Sequence, residues 1–206
     1  MTKLLVVRAH PLTGRKSRSM QVTDAFLTSY RLSNPTHVIE DINVYNQYLP
    51  EIDKDLLEAW SILQNGGRFY TLSEQQQRKV TVFDSFTDSF LDHDKIVITN
   101  PLWNLSIPTK LKAWFDAITV AGKTFQYTDH GSVGMIEGKK ALHIQANGGV
   151  YGGKDPASQY VKMMLNFLGI EDCEQLFVEG MNHHPEQAEE IVEKAMEKAT
   201  ALGKVF

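Results

Sequence analysis

Five short apolar stretches alternate with segments of helical periodicity along this chain, and this alternation constrains its fold more than any other feature. The stretches are rich in β-branched and aliphatic residues, as is typical of buried strands. They lie at Lys3–Arg8, His37–Ile42, Lys95–Thr99, Lys140–Ala146 and Glu174–Val178. Strands separated by helices predict right-handed crossovers and a parallel sheet covered on both faces.

Several of the intervening helices have recognisable ends. Ser73-Glu74-Gln75-Gln76 matches a capping box and predicts a long helix towards Asp92. Asp155 and Pro156 are predicted as the N-cap and first residue of a helix that Gly169 ends. The remaining helices are predicted after Ser19 as a cap, over Lys54–Leu63, over Thr109–Val120 and from about Pro185 to the C-terminus.

The fold class that fits is α/β, a doubly wound five-stranded parallel sheet of order 2-1-3-4-5 with helices on both faces. We expect residues 1–206 to form one domain. In such sheets a ligand binds beyond the carboxyl ends of the strands, so the chemistry should cluster after strands one, three and four. The length exceeds a minimal sheet of this type, and we assign the surplus to Asn43–Ser73 and Gly122–Gly138, near a substrate pocket.

Composition excludes several classes of protein. A net charge of −4 gives no excess of positive charge that would bind nucleic acid. The single cysteine, Cys173, excludes an internal disulfide framework and a cysteine-rich zinc site. The apolar run near the N-terminus, Leu4–Val7, is too short for a signal peptide, and no run is long enough to span a bilayer. We therefore expect a cytoplasmic protein without a membrane partner.

The loop after strand one concentrates cations and hydroxyls immediately before a helix. It contains His10, Arg15, Lys16 and the sequence Ser17-Arg18-Ser19. A helix N-terminus offers free backbone N–H groups and a partial positive charge, which suit a phosphate. The alternative is a capped helix with solvated surface charges.

The other two loops suit a flat ligand and close backbone approach. After strand three, Pro101 and Pro108 fix the backbone around Leu102-Trp103-Asn104-Leu105, whose side chains can lie on the face of a heterocycle. The alternative is a turn in which Trp103 fills the core. After strand four, four glycines fall within Gly148–Gly153, where the alternative is a flexible loop.

Three other candidate motifs give weaker evidence for a functional site. Gly148–Asp155 has the spacing of a phosphate-binding Walker A loop, but Asp155 stands where magnesium binding requires Ser or Thr. His183 and His184 are adjacent and lack metal-ligand spacing, so we predict no metal site. Cys173 has no evident activating partner, and an inert thiol is expected.

The segment from Asn100 to Phe125, NPLWNLSIPTKLKAWFDAITVAGKTF, resembles the signature of the FMN-dependent NADH-azoreductases. That family shares a flavodoxin-like fold with the NAD(P)H quinone reductases, and the resemblance extends over nearly the whole chain. The chain departs from the azoreductase pattern at Ala9-His10-Pro11, which is closer to the quinone-reductase branch. This loop does not show whether the protein binds FMN or FAD. The chain also departs from the pattern at Ala146-Asn147, where azoreductases often carry Ser-Arg.

The resemblance implies roles for particular residues. Those expected to bind FMN are His10, Ser17, Arg18, Ser19, Pro101, Leu102, Trp103, Asn104, Leu105, Asn147, Gly148 and Gly149. Phe125, Tyr127 and Tyr151 are expected to bind substrate near a homodimer interface, with hairpin packing as the alternative role of Tyr127. No catalytic side chain is required, because the flavin carries the chemistry at its N5 atom.

The implied function is transfer of reducing equivalents from NADH or NADPH to quinones or aromatic azo compounds by a ping-pong mechanism. One alternative is a flavodoxin-type electron carrier without NAD(P)H turnover of its own, which Arg18 and the mild net charge disfavour. A second is a phosphodiesterase, for which we find neither a metal cluster nor a nucleophile. A third is a sheet that binds no cofactor. The sequence does not choose among quinone, azo and nitro acceptors.

Overall fold

The computed structural model describes all 206 residues except the side chain of Arg15, a cation of the first loop that therefore lies outside the described residues. Its central feature is a five-stranded parallel sheet of order β2-β1-β3-β6-β7. These strands are β1 (Lys3–Arg8), β2 (Val38–Asn43), β3 (Lys95–Pro101), β6 (Lys140–Asn147) and β7 (Cys173–Glu179). The predicted doubly wound order 2-1-3-4-5 and the α/β class are confirmed.

The helices connect and cover these strands. They are α1 (Arg18–Ser33), α2 (Lys54–Gln64), α3 (Glu74–Asp92), α4 (Thr109–Ile118), α5 (Pro156–Leu168) and α6 (Ala188–Val205). A separate antiparallel hairpin, β4 (Phe125–Thr128) and β5 (Gly131–Gly134), follows α4. Within the segment Gly122–Gly138, this hairpin accounts for much of the surplus length.

Alternating residues of each central strand enter two different cores. In β1, Leu5 and Val7 join the core formed with α2, α3, α4 and α5, whereas Leu4 and Val6 join the core formed with α1 and α6. Successive side chains of a strand point to opposite faces, so the strand is apolar throughout. On the second face α1 and α6 pack closely: a Cβ at Gly203 would lie 2.5 Å from the Phe26 carbonyl oxygen.

The helix ends match the local signals in most cases. Ser73 and Gln76 form the predicted capping box, Asp155 accepts from the Ser158 N–H, and Gly169 ends α5 in the left-handed region at φ 101°. Two predicted starts are wrong. Helix α1 begins at Arg18, with Ser17 in extended conformation before it. Residues Pro185–Gln187 form a 3₁₀ turn, and α6 begins at Ala188.

Candidate functional site

The loops after β1, β3 and β6 lie against one another at the carboxyl edge of the sheet. The His10 ring of the first loop is 5.3 Å, centroid to centroid, from the Trp103 ring of the second. The Leu102 N–H of the second loop donates to the Ala146 carbonyl at the end of β6, at 2.9 Å. The structure therefore brings together the three loops that fold class alone selected.

The first loop presents polar donors at the start of α1. Ser17 and Ser19 are buried, and their hydroxyl oxygens lie 3.3 Å apart, so one hydroxyl donates to the other. Ser17 stands at the N-cap but its side chain makes no capping hydrogen bond, and the N–H groups of the first helical turn have no intrahelical acceptor. This donor set fits a phosphate, whose oxygens only accept.

Arg18 occupies a different position from the serines. It is exposed, and it lines a cavity of about 350 Å³ between α1 and α6, together with Gln21, Glu189 and Glu193. Its backbone N–H belongs to the first turn of α1, so that group faces the same end of the helix as the two hydroxyls.

His10 is buried, and its orientation is fixed by the backbone. Nδ1 lies 2.9 Å from the Leu12 N and 3.0 Å from the Leu12 O, so it either accepts from the N–H or donates to the carbonyl, depending on the tautomer. Burial lowers the pKa of His10 below its ordinary 6.5, and the ring is neutral at pH 7. The ring therefore offers an uncharged polar nitrogen, Nε2, beside Trp103.

The second loop is a tight turn with two residues in the left-handed region. Trp103 and Ser106 exchange backbone hydrogen bonds of 3.0 and 2.9 Å, and Asn104 and Leu105 between them have φ of 51° and 61°. Positive φ at both central residues defines a type I′ turn, which suits Asn but strains Leu. The turn lifts Leu105 away from the core, so that its side chain is 54% exposed.

Trp103 does not fill the core, contrary to the usual fate of a tryptophan. Its side chain is 39% exposed and packs between His10 and Tyr45, whose ring centroid is 6.4 Å away. Pro101 is buried at the end of β3, and Leu102 packs partly against the core below. Exposed Trp103 and Leu105 give this edge an apolar, aromatic surface that fits a flat ring.

The third loop turns its carbonyls into the protein and leaves its N–H groups available. Gly148 and Gly149 accept through their carbonyl oxygens from the N–H groups of Asn182, at 2.8 Å, and Gly180, at 3.1 Å. In the described part of the chain, no acceptor contacts the N–H of Gly148 or Gly149. Two free N–H groups beside an apolar surface fit the polar edge of a flavin.

Asn147 contributes differently from the two glycines. Its side chain is fully buried, with Oδ1 accepting from Gln145 at 2.9 Å and Nδ2 donating to Glu179 at 2.7 Å. Both ends of the amide are therefore engaged within the protein. A cofactor role for Asn147 remains a prediction that depends on its backbone.

The three residues expected to bind substrate lie in two places. Tyr151 is 36% exposed in the third loop, where its ring lies about 3.1 Å from the position of a Cβ on Gly149. Phe125 is 6% exposed, and its ring centroid lies 4.9 Å from that of Phe167, so in this chain it faces the core. Tyr127 extends from the same hairpin and is 76% exposed.

A buried polar network supports the second and third loops from below. His143 Nε2 lies 2.7 Å from Asn100 Oδ1, and Gln175 Nε2 lies 3.0 Å from His143 Nδ1. Asn100 also donates to Gln145, which donates to Asn147. Desolvation lowers the pKa of His143 to about 3, so this network contains a neutral imidazole.

Sequence reasoning missed the residues that border the site from the ends of other strands. Tyr45 follows β2, and Glu179 and Asn182 follow or end β7. The rule that ligands bind beyond the carboxyl ends of strands would have included them had it been applied to all five strands. Tyr45 also lies inside the surplus segment Asn43–Ser73.

Other groups carry no evident chemistry. Burial raises the pKa of Cys173 to about 11, which leaves little thiolate at pH 7. Among the described side chains, no three His, Cys, Asp or Glu residues are grouped to hold a metal ion. None of the described helices has both the length and the apolar character needed to cross a bilayer.

Comparisons with known proteins agree with this geometry. The model of a family described as having a flavodoxin-like fold matches residues 2–202. The FMN-dependent NADH:quinone oxidoreductase of Streptococcus suis (strain 98HAH33) is 44% identical over 198 residues, covering 96% of each chain. The FMN-dependent NADH:quinone oxidoreductase 2 of Bacillus licheniformis is 42% identical over 211 residues, covering all of both chains.

Solved structures give the same result. The azoreductase from Bacillus anthracis strain Sterne superposes with a TM-score of 0.92 at 34% identity, over the full length of both chains. An FMN-dependent NADH-azoreductase from Bacillus anthracis strain Ames Ancestor, solved in complex with FMN, superposes with a TM-score of 0.88 at 35% identity. That alignment covers 98% of this chain and all of the other. The resemblance inferred from Asn100–Phe125 is confirmed, and the protein belongs to the flavodoxin-like family that includes the FMN-dependent NADH:quinone oxidoreductases and NADH-azoreductases.

Proposed function

We propose that this protein is an FMN-dependent oxidoreductase that transfers reducing equivalents from NADH to quinones and aromatic azo compounds by a ping-pong mechanism. The observation that carries the proposal is the meeting of three loops with complementary properties. One offers phosphate donors, one an exposed aromatic surface, and one free N–H groups. The relatives named FMN-dependent NADH:quinone oxidoreductase, at 42–44% identity over nearly the whole chain, support the same activity.

Different residues would bind the phosphate and the ring system of the cofactor. The Ser17 and Ser19 hydroxyls and the first-turn N–H groups of α1 would bind the phosphate. Trp103 and Leu105 would contact the ring system through their exposed faces. FMN, when bound, supplies the two-electron redox chemistry, so no side chain of the protein has to form a covalent bond.

The N–H groups of Gly148 and Gly149 have the electrostatic role. Fixed donors aimed at a position where negative charge develops stabilise that charge without reorganising. The neutral His10 ring adds a polar nitrogen without adding a full charge. NADH and the acceptor would use one apolar surface in turn, which is why we propose a ping-pong sequence.

Steady-state kinetics test the mechanism. Initial rates of NADH oxidation are measured at several fixed quinone concentrations and plotted as double reciprocals. Parallel lines are expected, because oxidised nicotinamide leaves before quinone binds. Intersecting lines, which signify a ternary complex, would contradict the ping-pong sequence.

An electron-carrier flavodoxin is the competing function, and the similarity to enzymes that use NADH disfavours it. A carrier shows no NADH oxidation in the presence of quinone unless a separate reductase is added. Purified protein loaded with FMN should oxidise NADH by itself. A preparation that fails to take up FMN would contradict both functions.

We also propose that the protein is a homodimer in which the partner covers part of the substrate site. Tyr127, Val150 and Leu105 are large side chains that are 76%, 63% and 54% exposed in the single chain. Sedimentation velocity at micromolar concentration should give a dimer, and Y127A should raise the KM for quinone several-fold. A clean monomer with full activity would remove this part of the proposal. The cytoplasmic location stays a prediction.

A further inference from the structure

Glu179 ends β7 directly beside Asn147, its register partner at the end of β6. Its carboxylate accepts hydrogen bonds from three donors. These are Asn147 Nδ2 at 2.7 Å, the Tyr151 N–H at 3.2 Å, and the Gly152 N–H at 3.0 and 3.2 Å to the two oxygens. One side chain thus ties the end of β6 to the far part of the third loop.

Other hydrogen bonds hold parts of this loop: the Asn182 and Gly180 N–H groups bind the Gly148 and Gly149 carbonyls, and the Lys154 N–H binds the Tyr151 carbonyl. The N–H groups of Tyr151 and Gly152 depend on Glu179. Gly152 and Gly153 turn the chain back at φ of 59° and 72°, and the backbone between Gly149 and Gly152 belongs to no helix or strand. In the described part of the chain, Glu179 is the acceptor that the Tyr151 and Gly152 N–H groups share. Removal of the carboxylate would leave both groups without a protein partner.

The Asn147 side chain, which donates to Glu179, is also held at its amide oxygen. Asn147 Oδ1 accepts from Gln145 Nε2, which also donates to the buried carboxylate of Asp155 at 2.9 Å. The Asn147 amide is thus held at both ends, by Gln145 and by Glu179. Glu179 therefore acts together with the backbone bonds from Asn182 and Gly180 to set the orientation of the Gly148 and Gly149 N–H groups.

We infer that Glu179 is a positioning residue, whose carboxylate holds the Gly148–Gly153 loop so that the free N–H groups of Gly148 and Gly149 face the flavin. The inference rests on the proposed function. By charge alone, a carboxylate near an anionic cofactor weakens its binding. The positioning role and the charge therefore predict opposite effects when the side chain is removed.

The first experiment uses the full-length chain without FMN. Amide hydrogen exchange of Tyr151 and Gly152 is measured by ¹⁵N NMR in wild type, E179A, E179Q and E174Q. E179A should speed exchange at these two amides by about 10-fold or more, since a hydrogen bond to a charged acceptor is lost. E179Q should keep exchange at Tyr151 close to wild type, because Oε1 accepts from Asn147 and Tyr151. At Gly152 it should speed exchange by less than E179A does, because an amide nitrogen in place of Oε2 cannot accept.

E174Q is the matched control, since Glu174 lies on the same strand and is exposed. If E179A does not fold, E179D replaces it: the shorter side chain keeps the charge but loses reach to the loop. Unchanged exchange in the folded variant would overturn the inference.

The second experiment measures the FMN dissociation constant by quenching of flavin fluorescence. E179A should weaken FMN binding by about 10-fold and E179Q by less than E179A, whereas E174Q should bind within about 3-fold of wild type. Equal or tighter binding by E179A would overturn the inference, because it is the result expected from charge alone. Failure of wild type to bind FMN would instead contradict the proposed function, and the exchange rates, measured without FMN, keep the two failures distinguishable.

Discussion

Ser17 Oγ lies 3.3 Å from Ser19 Oγ at the start of α1, and the two side chains are 4% and 1% exposed. Neither hydroxyl caps the helix, and because one donates to the other, one hydroxyl hydrogen of the pair remains to donate to a ligand. Ser17 precedes the helix in extended conformation, and Ser19 lies in its first turn. This pair gives the most direct test of where the phosphate binds.

We predict that S17A weakens FMN binding by about 10-fold while leaving riboflavin binding unchanged, because riboflavin lacks the phosphate. Dissociation constants for both ligands are measured by fluorescence titration. S33A, at the exposed C-terminal end of the same helix, is the control and should affect neither ligand. Equal weakening of both ligands would show that Ser17 acts on the ring system or on folding.

Trp103 should give the complementary result. W103A removes the exposed aromatic face beside His10, so it should weaken FMN and riboflavin binding to the same extent, by about 10-fold. W103F keeps an aromatic ring and should recover most of the affinity. An effect on FMN that riboflavin does not share would place Trp103 at the phosphate and contradict its assigned position.

Leu105 should be a strained residue in the flavin-free protein. Its φ of 61° lies in the left-handed region, which glycine adopts without cost, and Asn-Gly is the preferred pair for a type I′ turn. We predict that L105G is more stable to urea than L105A by about 1 kcal/mol, because both lose the side chain but only glycine relieves the strain. Equal stability of the two variants would contradict the strain.

Much of the fold could be predicted because its signals are local. The strand runs, the capping box at Ser73, and the Asp155 and Gly169 caps each depend on a few neighbouring residues. The hairpin β4–β5 was predicted only as an alternative role of Tyr127, since FQYT and GSVG are four residues long and GSVG has a single large apolar side chain. The start of α1 was predicted two residues too late, because Ser17 and Ser19 are both suitable N-cap residues.

The site was predictable as three loops but not as a set of contacts. Fold class places the ends of β1, β3 and β6 together, whatever their residues. Glu179 contacts Asn147 from 32 positions away, and the positive φ of Leu105 opposes its own backbone preference. Neither feature has a local signal, because the first depends on strand register and the second on the closing hydrogen bonds between Trp103 and Ser106.

His143 should make the stability of the protein depend on pH. In the folded protein its Nε2–H donates to Asn100, whose own amide nitrogen donates to Gln145, and its Nδ1 accepts from Gln175. A proton on Nδ1 would therefore face a donor. This arrangement and desolvation agree with a pKa lowered to about 3 from an ordinary 6.5.

The sign of the effect follows from which state binds the proton. Between about pH 6.5 and 3 the unfolded chain protonates His143 and the folded chain does not, so stability falls as pH decreases through this range. The contribution of this one group approaches about 1.4 kcal/mol per pH unit. Urea unfolding from pH 7 to 4 should show a flatter decline for H143Q than for wild type, because glutamine does not titrate. H130Q, at an exposed histidine of the β4–β5 turn, should retain the wild-type slope, and an H143Q curve parallel to wild type would contradict the role of His143.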